Sequence, residues 1–157
     1  MIEYYLMDNR LQGISKAVST VFFVGFIPFA PGTLGTLAAM IIIWLLKPSI
    51  VWQTGILLFV FILGILTAGI AEKAFGKKDC SYIVIDEFAG YLCSIIFLPL
   101  TPAYMIAAFV LFRFFDILKP PPIRMLEKIG GGAGIMLDDV AAGIMTNILL
   151  QLTRLLY

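Results

Sequence analysis

Histidine is missing from all 157 residues, and cysteine occurs only twice. Without histidine there is no Ser-His or Cys-His catalysis and no phosphohistidine chemistry. Cys80 and Cys93 form no CxxC pair, which excludes a zinc-type ligand set as well and leaves two thiols expected to be reduced. Charge is equally scarce. Only 13% of residues are charged and the net charge is +1, so no basic field exists for nucleic acid. The DxDx[TV] signature of haloacid-dehalogenase phosphatases and the CxxxxxR signature of cysteine phosphatases do not occur. The spaced DGxxAR pattern of phosphotransferases that use nucleotide-activated lipids is also missing. Any catalysis must therefore use carboxylates, amines, hydroxyls or a hard metal.

What the chain has is apolar surface: 61% hydrophobic residues and a mean hydropathy of +1.02. Those values place it among integral membrane proteins, and its length predicts a single domain over residues 1–157. Glu3, Asp8, Arg10 and Lys16 break up the start, so no cleavable signal is expected. Residues 1–16 read as a short interfacial helix with Tyr4, Tyr5 and Leu6 toward the membrane surface. An apolar helix is expected over 15–24, then an irregular turn through PFAPGTLG, then a helix over 36–46, because Pro28 and Pro31 remove backbone donors. Residues 51–70 are long enough to span a bilayer. A solvated connection follows with Glu72, Lys73, Lys77, Lys78 and Asp79. Further apolar helices are expected over 82–98, 103–118 and 135–156, with a short amphipathic helix over 123–129 and a glycine loop over 130–134. The resulting fold class is all-α, a compact helical membrane protein. It has four to five apolar helices, a broken first helical unit and short connecting helices.

If the apolar segments alternate in direction, Arg10, Lys16, Lys73, Lys77, Lys78, Lys119, Arg124 and Lys128 share one side. Only Lys47 and Arg154 fall on the other, so the first side is cytoplasmic. Asp86, Glu87, Asp116, Asp138 and Asp139 then all lie at that cytoplasmic face, with Arg113 and Lys119 flanking Asp116. Converging carboxylates without histidine or cysteine suit Mg²⁺, and glycine amides with nearby Lys and Arg suit phosphate. Each feature alone has a plainer use. Asp138 or Asp139 could cap the last helix, Arg113 and Asp116 could be a helical ion pair, and Asp86 with Glu87 could satisfy a helix N-terminus. The glycines could be a flexible turn and Lys73, Lys77 and Lys78 topology signals. Intramembrane acids beside a broken helix also fit a small transporter or ion-conducting protein.

Four stretches carry a resemblance: PFAPGTLGTLAA (28–39), VIDEFAGY (84–91), FRFFDILKPPPI (112–123) and GGAGIMLDDVAAG (131–143). In this order they resemble the signature blocks of the phosphatidylglycerophosphatase A family, across essentially the whole chain. The resemblance implies a Mg²⁺-dependent phosphatase of the bacterial inner membrane, acting on a phospholipid within the bilayer. The reaction it implies is hydrolysis of phosphatidylglycerophosphate to phosphatidylglycerol and inorganic phosphate, in phospholipid biosynthesis. It implies a catalytic set of Asp86, Glu87, Asp116, Lys119, Asp138 and Asp139. Asp86, Glu87, Asp116 and Asp139 would hold the metal, and Gly32, Thr33, Arg113, Lys119, Arg124 and Gly132 would meet the substrate. Two departures are mild: Thr36 where serine is common, and a third proline at Pro122. Direct attack by water and an aspartyl-phosphate intermediate both stay open.

Overall fold

The computed structural model describes the backbone of residues 2–78, 80–121 and 123–156, and the side chains of these outside 2–8 and 127. The expected facing of Tyr4, Tyr5 and Leu6 lies outside those described side chains, as do Asp79 and Pro122. Among the described residues there are seven α-helices and no strand. They are α1 (Ile2–Ser19), α2 (Pro31–Leu46), α3 (Ile50–Phe75), α4 (Ile85–Ile95), α5 (Pro102–Leu118), α6 (Ile123–Leu126) and α7 (Gly131–Leu156). Short 3₁₀ turns occupy Val24–Phe26 and Glu127–Ile129. Both α3 and α7, at 26 residues, are long and apolar enough to cross a membrane.

The first helical unit is broken, though not where proline content alone places the break. One helix runs through the interfacial lead-in and ends at Ser19, short of the expected Val24. Val21, Phe22 and Phe23 then take φ values of 48°, 50° and 74°, a left-handed run that is costly for branched and aromatic residues. A local bond and a tertiary one hold it: Gly25 N–H donates to the Thr20 carbonyl at 3.0 Å and Val84 N–H to the Ser19 carbonyl at 2.9 Å. Pro31 starts α2 instead of prolonging the turn, so 31–35 is helical. A proline at the first helical position gives up a donor that has no partner within the helix anyway.

At the centre lies α4, whose residues Phe88 to Ile95 are all buried, packed most extensively on α7 and flanked by α2, α3 and α5. The apolar run predicts a helix over 82–98, but only 85–95 is helical. At 1.5 Å per residue that is about 16 Å, too short to cross a bilayer. At and just beyond the C-terminal end of α4, α7 supplies donors to the free carbonyls. Asn147 Nδ2 donates to the carbonyls of Ser94 at 3.0 Å and Ile96 at 2.7 Å, and Arg154 Nη1 to that of Phe97 at 3.2 Å.

The α4–α7 crossing is tight because it is made by glycines. A β-carbon on Gly143 would overlap the Gly90 carbonyl oxygen, and one on Gly90 would meet Phe112 and, at 2.8 Å, the Asp139 carbonyl oxygen. Gly90 follows Glu87 by three residues and Gly143 follows Asp139 by four, so the closest backbone contact lies one turn from the acids.

Candidate active site

Asp86 and Glu87 occupy the first turn of α4, behind Val84, which offers no side-chain cap. The glycine crossing brings Asp139 of α7 up to them. One oxygen from each of Asp86, Glu87 and Asp139 lies within 4.8 Å of the others. Asp86 Oδ1, Glu87 Oε2 and Asp139 Oδ2 are buried and meet no hydrogen-bond partner in the protein. Three ionisable groups so placed are strongly destabilising unless a cation joins them.

Arg113, Asp116, Lys119, Asp138 and Gly32 lie around this trio, whereas Arg124 and Gly132 do not. Arg113 of α5 lies 2.6 Å from Asp116 Oδ2 and 3.8 Å from Glu87 Oε1, so the ion pair expected one helical turn apart also reaches across to α4. Asp116, buried, adjoins Asp139 across the α5–α7 contact and is not one of the converging trio. Lys119 caps α5 in a left-handed conformation, φ 44°, just before Pro120, and its Nζ donates to Asp138 Oδ2 at 2.7 Å. The five carboxylates Asp86, Glu87, Asp116, Asp138 and Asp139 thus face two cations, Arg113 and Lys119. Carboxylates therefore outnumber the cations paired with them. That surplus, the oxygen-only donors and the three orphan oxygens fit a hard divalent cation at Asp86, Glu87 and Asp139.

Gly32 of α2 lies directly against Glu87 Oε1, and a β-carbon placed on it would come within 3.2 Å of Arg113 Nη1, so any larger residue there would push on the Glu87 carboxylate. Thr33 is the next residue of α2 and is half-buried. Arg124 is exposed on α6 and does not line the cleft described below.

The glycine stretch differs from expectation. Gly131 to Gly134 is the first turn of α7, with Gly134 N–H donating to the Gly130 carbonyl at 3.2 Å. Gly132 sits against the Ile65 carbonyl of α3, so backbone packing overrides the poor helix propensity of glycine here. Asp138 and Asp139 consequently stand about two turns inside α7 rather than in its first turn, and neither can act as its cap.

A cleft of about 190 Å³ opens beside the carboxylates. It is lined by Asp86, Glu87, Asp138 and Lys119, by Gly130, Gly131 and Gly134 at the start of α7, and by Glu72, Lys78, Cys80 and Ser81. Glu72, Lys78, Cys80 and Ser81 belong to the stretch expected to be no more than a solvated connection. Its position just before IVIDE, on the face that holds the acids, was the signal that could have found it.

The family profile described as Phosphatidylglycerophosphatase A matches residues 17–154. A Phosphatidylglycerophosphatase A of Haemophilus influenzae is 41% identical over 151 residues, covering 90% of this chain and 92% of the relative. Another, of Escherichia coli K12, is 37% identical over 129 residues, covering 80% and 74%. A Bacteroides thetaiotaomicron protein bearing the name "Putative phosphatidylinositol-3-phosphatase" is 41% identical over 146 residues, covering 87% and 91%. No solved structure matches the chain significantly.

Proposed function

The chain belongs to the phosphatidylglycerophosphatase A family, and from that premise we propose that it is a Mg²⁺-dependent lipid phosphatase. It converts phosphatidylglycerophosphate to phosphatidylglycerol and inorganic phosphate, as a step of phospholipid biosynthesis in the bacterial inner membrane. The observation that carries this reading is the trio of orphaned carboxylate oxygens on Asp86, Glu87 and Asp139, beside a lysine at the mouth of a cleft. Membership in a phosphatase family displaces the transporter alternative that intramembrane acids raise.

The cation, when bound by Asp86, Glu87 and Asp139, supplies electrophilic polarisation of the phosphate. Lys119, held by Asp138, meets the phosphate's remaining charge from the cleft wall. Arg113 fixes Glu87 and Asp116 in place and offsets part of their mutual repulsion. In hydrolysis a water oxygen forms the new bond to phosphorus, the ester P–O bond breaks, and the water's proton passes to the departing glycerol oxygen. With α3 and α7 across the membrane, the acids lie at the level of the phospholipid headgroups, on the cytoplasmic side by the distribution of Lys and Arg. The substrate's acyl chains then stay in the bilayer during the reaction.

The test is phosphate release by the purified chain in vesicles carrying either phosphatidylglycerophosphate or phosphatidylinositol-3-phosphate. Preferential release from the first is expected. Release only from the second would overturn the substrate, and release from neither would overturn the activity.

A further inference from the structure

Away from the acids, α2 and α5 both pack on α4 but only sparsely on each other. They leave a groove of about 200 Å³ lined by Met40, Ile41, Trp44, Pro102, Met105 and Ile106, every one apolar. No charged residue occurs in α2, and the charges of α5, Arg113 and Asp116, turn inward to the site. From Ile106 in the groove lining, an exposed apolar row runs along α5 in the direction of the end that carries Lys119. Ile106, Val110, Phe114 and Ile117 recur there at helical spacing, each more than half exposed. Beyond them comes Lys119, which lines the cleft.

The dimensions match one leaflet. Ile106 and Lys119 are 13 residues apart, or about 20 Å along a helix, and half of a bilayer with its headgroup region is about 20–22 Å.

We propose that this groove and the exposed row of α5 seat one acyl chain of the substrate. The glycerol end lies at Lys119 and the methyl end between Ile41 and Ile106. The proposal rests on the lipid phosphatase reading for the identity of the lipid. It adds the place where that lipid's hydrocarbon is recognised.

The test reconstitutes the full chain in phosphatidylethanolamine vesicles containing a trace of phosphatidylglycerophosphate with a diazirine near the end of one acyl chain. Parallel vesicles carry phosphatidylcholine with the same tail. Adducts are mapped by mass spectrometry after irradiation. Labelling of Met40, Ile41 and Ile106 should be about tenfold stronger with the phosphate lipid, the ratio set by headgroup capture at the site, and Ile106→Trp should abolish the difference. Equal labelling by both lipids would mean ordinary bilayer contact and would overturn the proposal, as would crosslinks between two copies through the groove.

A kinetic arm separates the groove from general damage. Ile41→Trp and Ile106→Trp should raise KM for the long-chain substrate about tenfold while leaving hydrolysis of the deacylated headgroup phosphate unchanged. Leu58→Trp, on an exposed face of α3, should change neither. Equal loss on both substrates, or wild-type KM throughout, would contradict the seat. If the wild-type chain releases no phosphate from either substrate, the functional reading fails, and the labelling pattern still decides whether the groove takes the lipid.

Discussion

Gly143 of α7 stands against the carbonyl oxygen of Gly90 of α4, closer than any side chain would permit. That contact fixes how deeply Asp139 reaches toward Asp86 and Glu87, each only about one helical turn away. Gly143→Ala should therefore cost about 1–3 kcal/mol through overpacking and also depress phosphate release by displacing Asp139. Gly55→Ala in α3, where an added β-carbon meets nothing within 4 Å, should stabilise by about 0.5–1 kcal/mol and leave activity alone. Thermal unfolding in detergent, paired with phosphate release, checks both.

The orphaned carboxylates separate stability from activity. In EDTA, Asp86→Asn or Asp139→Asn removes one of several mutually repelling charges and should raise stability by about 1 kcal/mol or more. The same variants should lose activity by about 100-fold or more with Mg²⁺ present. Thermal scans with and without metal report the first effect, and initial rates report the second.

Lys119 combines a left-handed backbone, φ 44°, with a 2.7 Å ion pair to Asp138. Both Lys119→Gly and Lys119→Ala remove the ammonium group and should abolish most phosphate release. The glycine variant should nevertheless be about 1 kcal/mol more stable than the alanine variant, because only alanine keeps the penalty of a β-carbon in that conformation. Equal stability would show that the backbone there relaxes.

Asn147 tests the buried end of α4 without touching the chemistry. Asn147→Leu leaves the Ser94 and Ile96 carbonyls without that donor and should cost about 1–3 kcal/mol. Specific activity of the folded fraction should stay near wild type, read by normalising rates to the folded population.

Placing the five acids on one face needed only the order of apolar runs and the positions of the charged connections. The one-turn spacing of Arg113 and Asp116 likewise foretold their pairing. The partnership of Lys119 with Asp138 was not legible, because 19 residues and a change of direction separate them. The short length of α4 was hidden for a related reason. The apolar run 82–98 reads the same whether its last carbonyls continue a helix or meet Asn147 and Arg154. Gly131 to Gly134 read as a loop because local propensity opposes a helix there, whereas contact with Ile65 of α3 favours one. Val21 to Phe23, branched and aromatic, likewise gave no local hint of a left-handed turn.

The central claim is that Asp86, Glu87 and Asp139 bind the divalent cation on which hydrolysis depends. A Mg²⁺ titration of phosphate release from phosphatidylglycerophosphate vesicles tests it most directly, run on the wild-type chain and on Asp86→Asn, Glu87→Gln and Asp139→Asn. No activity is expected in EDTA, with saturable recovery by Mg²⁺ in the wild type and, in each variant, a loss that added Mg²⁺ does not restore. Full activity in EDTA, or wild-type Mg²⁺ dependence in all three variants, would contradict it.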